Sequence, residues 1–223
     1  MAGGLRFDLT RLAGICTVLL GLSMATELLM AWQSFSTIRF FDAVTDGRLF
    51  GAELDTEADR IDQRAVWIAF TYLGVMLATV IFASVWIFRA SWNARELQPN
   101  GDRITPGWAV GWFFVPFLSL WKPYQAMRQC WNSTFNPAAG LNAPAPGFVF
   151  AWWMCWVAAN MVQGFGLGSS IANPTMETLR RDAVQQLIAA PLMIVGALLF
   201  IRLIKSITKA QRDASPGLAS VFA

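Results

Sequence analysis

Glu27 is the residue through which this chain could do chemistry. It interrupts an otherwise apolar run from Leu12 to Gln33. A carboxylate inside such a run is costly unless it pairs, takes up a proton or meets water. Counted from the centres of the apolar runs, Tyr72 and Gln163 fall at about the depth of Glu27, and Asn160 lies near the middle of its own run. Pro191, at about that level, frees a backbone carbonyl. A cluster of Glu27, Tyr72, Asn160 and Gln163 is suited to handling a proton or a small cation. The plainer reading is a hydrogen-bonded packing cluster, or a glutamate reaching toward the membrane surface. One carboxylate with no basic partner in the runs favours the plainer reading.

Other chemistries find few residues. Histidine is absent, which removes His-ligated haem, zinc triads and the commonest general base. The three cysteines, Cys16, Cys130 and Cys155, are odd in number and have no metal-ligand spacing; they read as small apolar fillers. Glu53, Asp55, Glu57 and Asp59 alternate, so on a helix they point apart, and the EF-hand pattern is missing. They read as a solvated face, with Asp55 as the cap of a helix beginning at Thr56. No Ser, Cys or Asp has an identifiable base, and no nucleotide or intramembrane-protease motif occurs. Gly164-Phe-Gly-Leu-Gly-Ser-Ser170 contains Gly164xxxGly168, a spacing that lets helices approach closely in lipid. A phosphate-cradling loop is excluded there because no strand precedes it and no lysine follows. The expectation is therefore a non-enzyme without catalytic residues, metal or cofactor.

The elements that must position these residues are apolar and long. The chain has 223 residues, of which 56% are hydrophobic and 14% charged; soluble domains average about 45–50% and 25%. Four runs are long enough to span a bilayer: about 12–33, 65–88, 148–171 and 183–204. A fifth stretch, 107–121, falls short of the roughly 20 residues a spanning helix needs, with Pro116 in its middle and Pro123 at its end. It continues to about residue 130 as an aromatic, basic ribbon. Trp121, Tyr124, Met127 and Trp131 form a stripe on one helical side, as in a surface-lying helix. With Trp108, Trp112, Trp152, Trp153 and Trp156, they read as anchors at the headgroup level. The segment is expected to be re-entrant or interfacial; five or more full spans is the alternative.

Orientation follows from Lys and Arg. With the N-terminus inside, Arg6, Arg11, Arg89, Arg95, Arg103, Lys122, Arg128 and the cluster Arg202, Lys205, Lys209 and Arg212 all lie inside. Most acidic residues then fall outside, many in a hydrophilic loop at about 37–64. Full crossing by 107–121 would turn the C-terminal basic cluster outward. The net charge of +3 comes from residues flanking apolar blocks, which excludes a nucleic-acid stripe and suits contact with anionic lipid. Asn132-Ser-Thr matches a glycosylation acceptor but falls on the inner side. One domain over 1–212 and a frayed tail over 213–223 are expected.

Arg89-Ala-Ser-Trp-Asn93 and the stretch Thr105-Pro-Gly-Trp-Ala-Val-Gly-Trp-Phe-Phe-Val-Pro-Phe-Leu-Ser-Leu-Trp-Lys-Pro-Tyr-Gln-Ala-Met127 resemble a bacterial membrane family, domain-of-unknown-function family 4328. The likeness is specific over 89–131 and is expected to extend over about 65–205. Arg89, Asn93, Trp112, Pro116, Trp121, Pro123, Tyr124 and Gln125 occupy motif positions; Ser119 departs from the family's asparagine. The resemblance implies a multi-pass inner-membrane protein and no activity. Arg89 and Asn93 share a helix face and are expected to bond the carbonyls that Pro116 and Pro123 leave free. The whole reads as an all-α polytopic bundle of four transmembrane helices with both termini cytoplasmic. As a function, the expectation is a scaffold or accessory subunit bound to lipid, a membrane-protein partner or its own copies; the alternative is a small transporter using Glu27.

Overall fold

A long apolar segment closes all its backbone hydrogen bonds internally only as a helix, and helices account for most of the described residues. The computed structural model describes residues 5–98, 103–164 and 175–214. Helix α1 covers Thr10–Thr45 and α2 Gly51–Leu97. The short α3, Pro106–Gly111, and α4, Lys122–Phe135, follow. The last two are α5, Gly147–Gly164, and α6, Met176–Asp213. No strand occurs among the described residues.

Local chemistry sets the ends. The Asp8 carboxylate accepts the Thr10 N–H at 2.9 Å, where α1 begins. At the other end of α1, Gly47 N–H donates to the Val44 carbonyl and Arg48 N–H to that of Ala43. This is the paired closure in which a residue of positive φ ends a helix, and Gly47 stands at φ 69°. The turn that joins α1 to α2 is therefore only Asp46–Phe50. The hydrophilic loop expected over 37–64 is helix on both sides of that turn, and α2 starts at Gly51 rather than after a cap at Asp55. Polar residues there favour water at the surface, but they do not oppose helix formation.

The proline-broken segment is irregular where the prolines fall. Thr105 caps α3 through the Trp108 N–H, and Pro106 occupies its first turn. A 3-10 turn, Trp112–Phe114, runs into extended Val115. Phe117 stands at φ 63°, ψ −49°, and the Leu118 N–H donates to the Pro116 carbonyl at 2.7 Å. That is a γ-turn of the rare, strained hand. A second 3-10 turn, Leu118–Leu120, leads to α4.

The residues divide into two compact units. The first takes the chain up to Leu20, Ala78–Trp153, and from Leu198 onward. Its core is large and aromatic. Trp86, Met127, Trp153, Leu203 and Ile207 are fully or almost fully buried, and Trp152 stacks on Phe200 at 4.8 Å. The second takes Gly21–Leu77 and Met154–Ala197. Beside the apolar Phe41, Ile61, Ile68 and Val157, its buried residues include many small or polar ones: Thr26, Glu27, Gln33, Ser34, Ala159, Ala183, Ala189 and Ala190. Small residues let helix backbones come close where apolar burial gives little.

Three helices, α1, α2 and α6, are long and apolar enough to cross a membrane. The expected third span, 148–171, is described only as far as Gly164, as the 18 residues of α5. In α2 only 6% of the most apolar 18-residue window is buried, against 33% in α1 and in α6. Trp67, Phe70, Leu77 and Ile81 stand exposed along it. In lipid such a surface carries no penalty.

Candidate functional site

Glu27, on α1 in the second unit, is 4% exposed. Gln186 of α6 donates to its carboxylate at 3.0 Å, and the Tyr72 hydroxyl of α2 hydrogen-bonds it too. Gln163 of α5 donates to the Gln186 side-chain oxygen at 3.0 Å. Four helices therefore meet around one carboxylate whose described partners are all neutral. The structure brings together three of the residues grouped from the sequence. It leaves out Asn160, whose exposed side chain donates to the Trp156 carbonyl of its own helix; an asparagine can always reach back one turn in this way. Sequence reasoning missed Gln186. Its depth in the last run, five residues before Pro191, was the available signal.

Toward the α1–α2 turn the same unit is more polar. Gln33 donates to the Ile61 carbonyl at 3.2 Å and accepts from the Arg64 guanidinium at 2.6 Å. That guanidinium lies over the Trp32 ring, 4.3 Å from its centroid. Arg180 pairs with Asp42 at 2.7 Å. An open cavity of about 780 Å³ lies along this hairpin, lined by Trp32, Arg39 and Arg64 among others and not by Glu27.

Asn93, on α2 in the first unit, is 0% exposed. Its side-chain oxygen accepts the Phe7 N–H at 3.1 Å, and its amide donates to the Phe7 carbonyl at 2.8 Å. It also donates to Gln211 at 3.2 Å. Gln211 in turn donates to the Ala90 carbonyl and to the Thr134 hydroxyl, each at 3.1 Å. The Arg89 guanidinium lies 5.3 Å from the centre of the Phe7 ring. The expected partnership of Arg89 and Asn93 with the proline-broken segment is thus corrected. Both grip the start of the chain, and Asn93 also grips the last helix. A side-chain amide matches a backbone N–H and carbonyl in one residue, and Phe7, ahead of the helix, has both free of helical hydrogen bonds and given to Asn93.

The broken segment is held from α5 instead. Buried Trp153 donates its indole N–H to the Leu120 carbonyl at 2.8 Å, three residues ahead of Pro123, which has no N–H to offer. Tyr124 meets Phe150 edge-on at 5.6 Å. Trp112 stacks on Trp108 at 4.3 Å, with the Lys122 ammonium 5.9 Å from its ring. Pro123 is buried, Gln125 half-buried, and Pro116 and Trp121 exposed. The stripe read as a lipid-facing anchor is corrected in part: Met127 and Trp131 are buried, as are Trp152 and Trp153, because the ribbon turns this face into the aromatic core. Asn132 is fully buried and donates to the Leu141 and Ala143 carbonyls, which fixes the linker.

Burial raises the Cys130 thiol to about 12, while the nearby Arg103 guanidinium opposes the rise. Burial also lowers Arg103, which donates to the Gln98 carbonyl. The Asp8 carboxyl is lowered by its hydrogen bonds to the Thr10 backbone and hydroxyl. Gly164 is exposed, and among the described residues a Cβ placed there would meet nothing within 4 Å, so no described helix leans on it as the small-residue spacing suggested. Gly168 lies outside the described residues. Among the described residues no cluster of three His, Cys, Asp or Glu could hold a metal ion.

Fold and site together define an all-helical protein with three helices of membrane-crossing length and apolarity. The family described as "Domain of unknown function (DUF4328)" matches residues 51–209. The chain belongs to that family, over more residues than the 65–205 read from the motifs; α1 precedes the matched region. No curated protein and no solved structure matches.

Proposed function

We propose that this chain is a non-enzymatic integral protein of the bacterial inner membrane, a scaffold or accessory subunit whose partner docks along α2. Four helices cross the bilayer, the segment between α2 and α5 enters and returns, and both termini are cytoplasmic. Hydrogen bonding in the first unit supports this topology. Asn93 joins Phe7 to Gln211, and Gln211 joins Thr134. The chain on both sides of the broken segment therefore lies at one end of that unit. The bias of Lys and Arg toward that end agrees.

The observation that carries the scaffold reading is the uncovered α2, with 6% of its apolar window buried. A photo-crosslinking residue at Leu77, 51% exposed, tests it in native membranes. The expected result is one discrete protein adduct, lost when the neighbouring exposed Leu73 is changed to Trp. Adducts to lipid alone would overturn the reading.

The Glu27 cluster favours a second reading, a proton-linked transporter, because four helices converge on one carboxylate. Against it, the large cavity of this unit does not reach Glu27. Proton uptake into reconstituted vesicles that is abolished by Glu27→Gln would establish it in place of the scaffold.

A further inference from the structure

The α1–α2 hairpin carries an open cavity of about 780 Å³, within the size range of small-molecule sites. Its α1 wall is one helical face, Trp32, Phe35, Ser36, Arg39, Phe40 and Ala43, and its α2 wall another, from Ala52 to Arg64. The bonds from Gln33 to Ile61 and Arg64 set the register. Trp32 and Arg64 thus stand at the membrane-side end, Arg39 about two turns nearer the connecting turn, and Glu53 near the turn itself.

The charges along the cavity are graded. Arg64 bonds a neutral amide and stacks on Trp32. Arg39 lies against the Phe35 ring at 5.9 Å. Neither has a carboxylate partner among the described residues. Arg48 is paired with Asp46, and Glu57 with Arg60. Glu53 has no hydrogen-bonding or ion-pair partner among the described residues. From membrane to turn the cavity thus offers the Trp32 ring with the Arg64 guanidinium, the Phe35 ring, the Arg39 guanidinium and then the Glu53 carboxylate, none of these charges ion-paired among the described residues.

We propose that this cavity holds one phospholipid with a zwitterionic, primary-ammonium headgroup of the phosphoethanolamine type. The phosphate meets Arg64 and Arg39, guanidinium being the group best shaped for it. The ammonium, one short link farther from the bilayer, meets Glu53. The acyl chains run down past Trp32, with Phe35 beside the phosphate. An anionic glycerol headgroup would oppose Glu53, and a choline headgroup has no N–H to donate. The proposal rests on the membrane reading but not on the scaffold role.

Native mass spectrometry of the full chain, loaded from mixed nanodiscs of phosphatidylethanolamine, phosphatidylcholine and phosphatidylglycerol, tests it. The ethanolamine lipid is expected to be retained at least about fivefold over the others, the scale of one charge-assisted contact. Glu53→Gln should bring ethanolamine and choline lipids to parity, and Arg39→Gln should lower retention of all three. Both side chains are exposed, and unchanged melting temperatures confirm that the variants fold. Equal retention of the three lipids by the wild-type chain would overturn the proposal, as would selectivity that survives Glu53→Gln. Displacement by soluble phosphoethanolamine would also overturn it, making this a headgroup site and not a lipid site. A chain that fails to enter the nanodiscs at all would instead sink the membrane reading.

Discussion

Asn93 uses its side-chain oxygen and its amide nitrogen on three partners, in a place without access to water. Removing the amide strands the Phe7 backbone and the Gln211 side chain. Leaving a buried polar group unpaired costs about 1–3 kcal/mol, so Asn93→Ala should lower stability by about 2–3 kcal/mol. Thermal unfolding in detergent measures this, and limited proteolysis should cut near Phe7 in the variant first. Glu27 should behave differently. Glu27→Gln keeps a hydrogen-bonding group opposite Tyr72 and Gln186 and should fold normally, whereas Glu27→Ala should not, as the two melting curves would show. Cys130 gives a pH-dependent outcome. Burial holds its thiol protonated to about 12, against an ordinary 9.0. Its contribution to stability is complete below pH 9 and is lost as pH rises from there toward 12. At pH 9 maleimide should therefore leave Cys130 unmodified in the folded chain and label it after denaturation, as peptide mapping would read. The sequence made much of this scale legible through depth. Glu27, Tyr72 and Gln163 could be grouped because polar residues at one level of apolar runs have few other partners. Depth says nothing of where a side chain points around its axis, so Asn160 was included wrongly and Gln186 was overlooked. Asn93 was found by motif, but its partner was not, because Phe7 offers only backbone, which is the same for any residue but proline.

Among the elements, the break between α3 and α4 is the most strained. Phe117 holds a positive φ with its ring 77% exposed. Such a conformation costs a non-glycine residue on the order of 1–3 kcal/mol, and no buried contact repays it. Phe117→Gly should accordingly raise stability by about 1 kcal/mol, read as a higher melting temperature in detergent. Trp153→Phe should do the reverse, because the Leu120 carbonyl would lose its donor. Pro116 and Pro123 made the break visible in the sequence, and Thr105-Pro106 marked the start of α3. The donor was not visible: tryptophans near a membrane read first as surface anchors, and only packing shows that Trp153 turns inward. The hairpin was misjudged for a related reason. Polarity over residues 37–64 suggested a loop, while the backbone needed only Asp46–Phe50 to reverse direction.

At the scale of the whole molecule, apolar composition and four runs already indicated a helical membrane protein, and three helices meet that description. What composition could not tell is how unevenly the helices are covered. The bareness of α2 emerges only when neighbours are placed around it, and the proposed docking of a partner belongs to that difference. The joint at Asn93 has another consequence. It draws residues near both ends of the described chain to the same buried asparagine. A covalent tether between the segments carrying Phe7 and Gln211 would then need to bridge only this one joint. Such a staple should keep the Asn93 hydrogen bonds and make separation of these two distant stretches far slower.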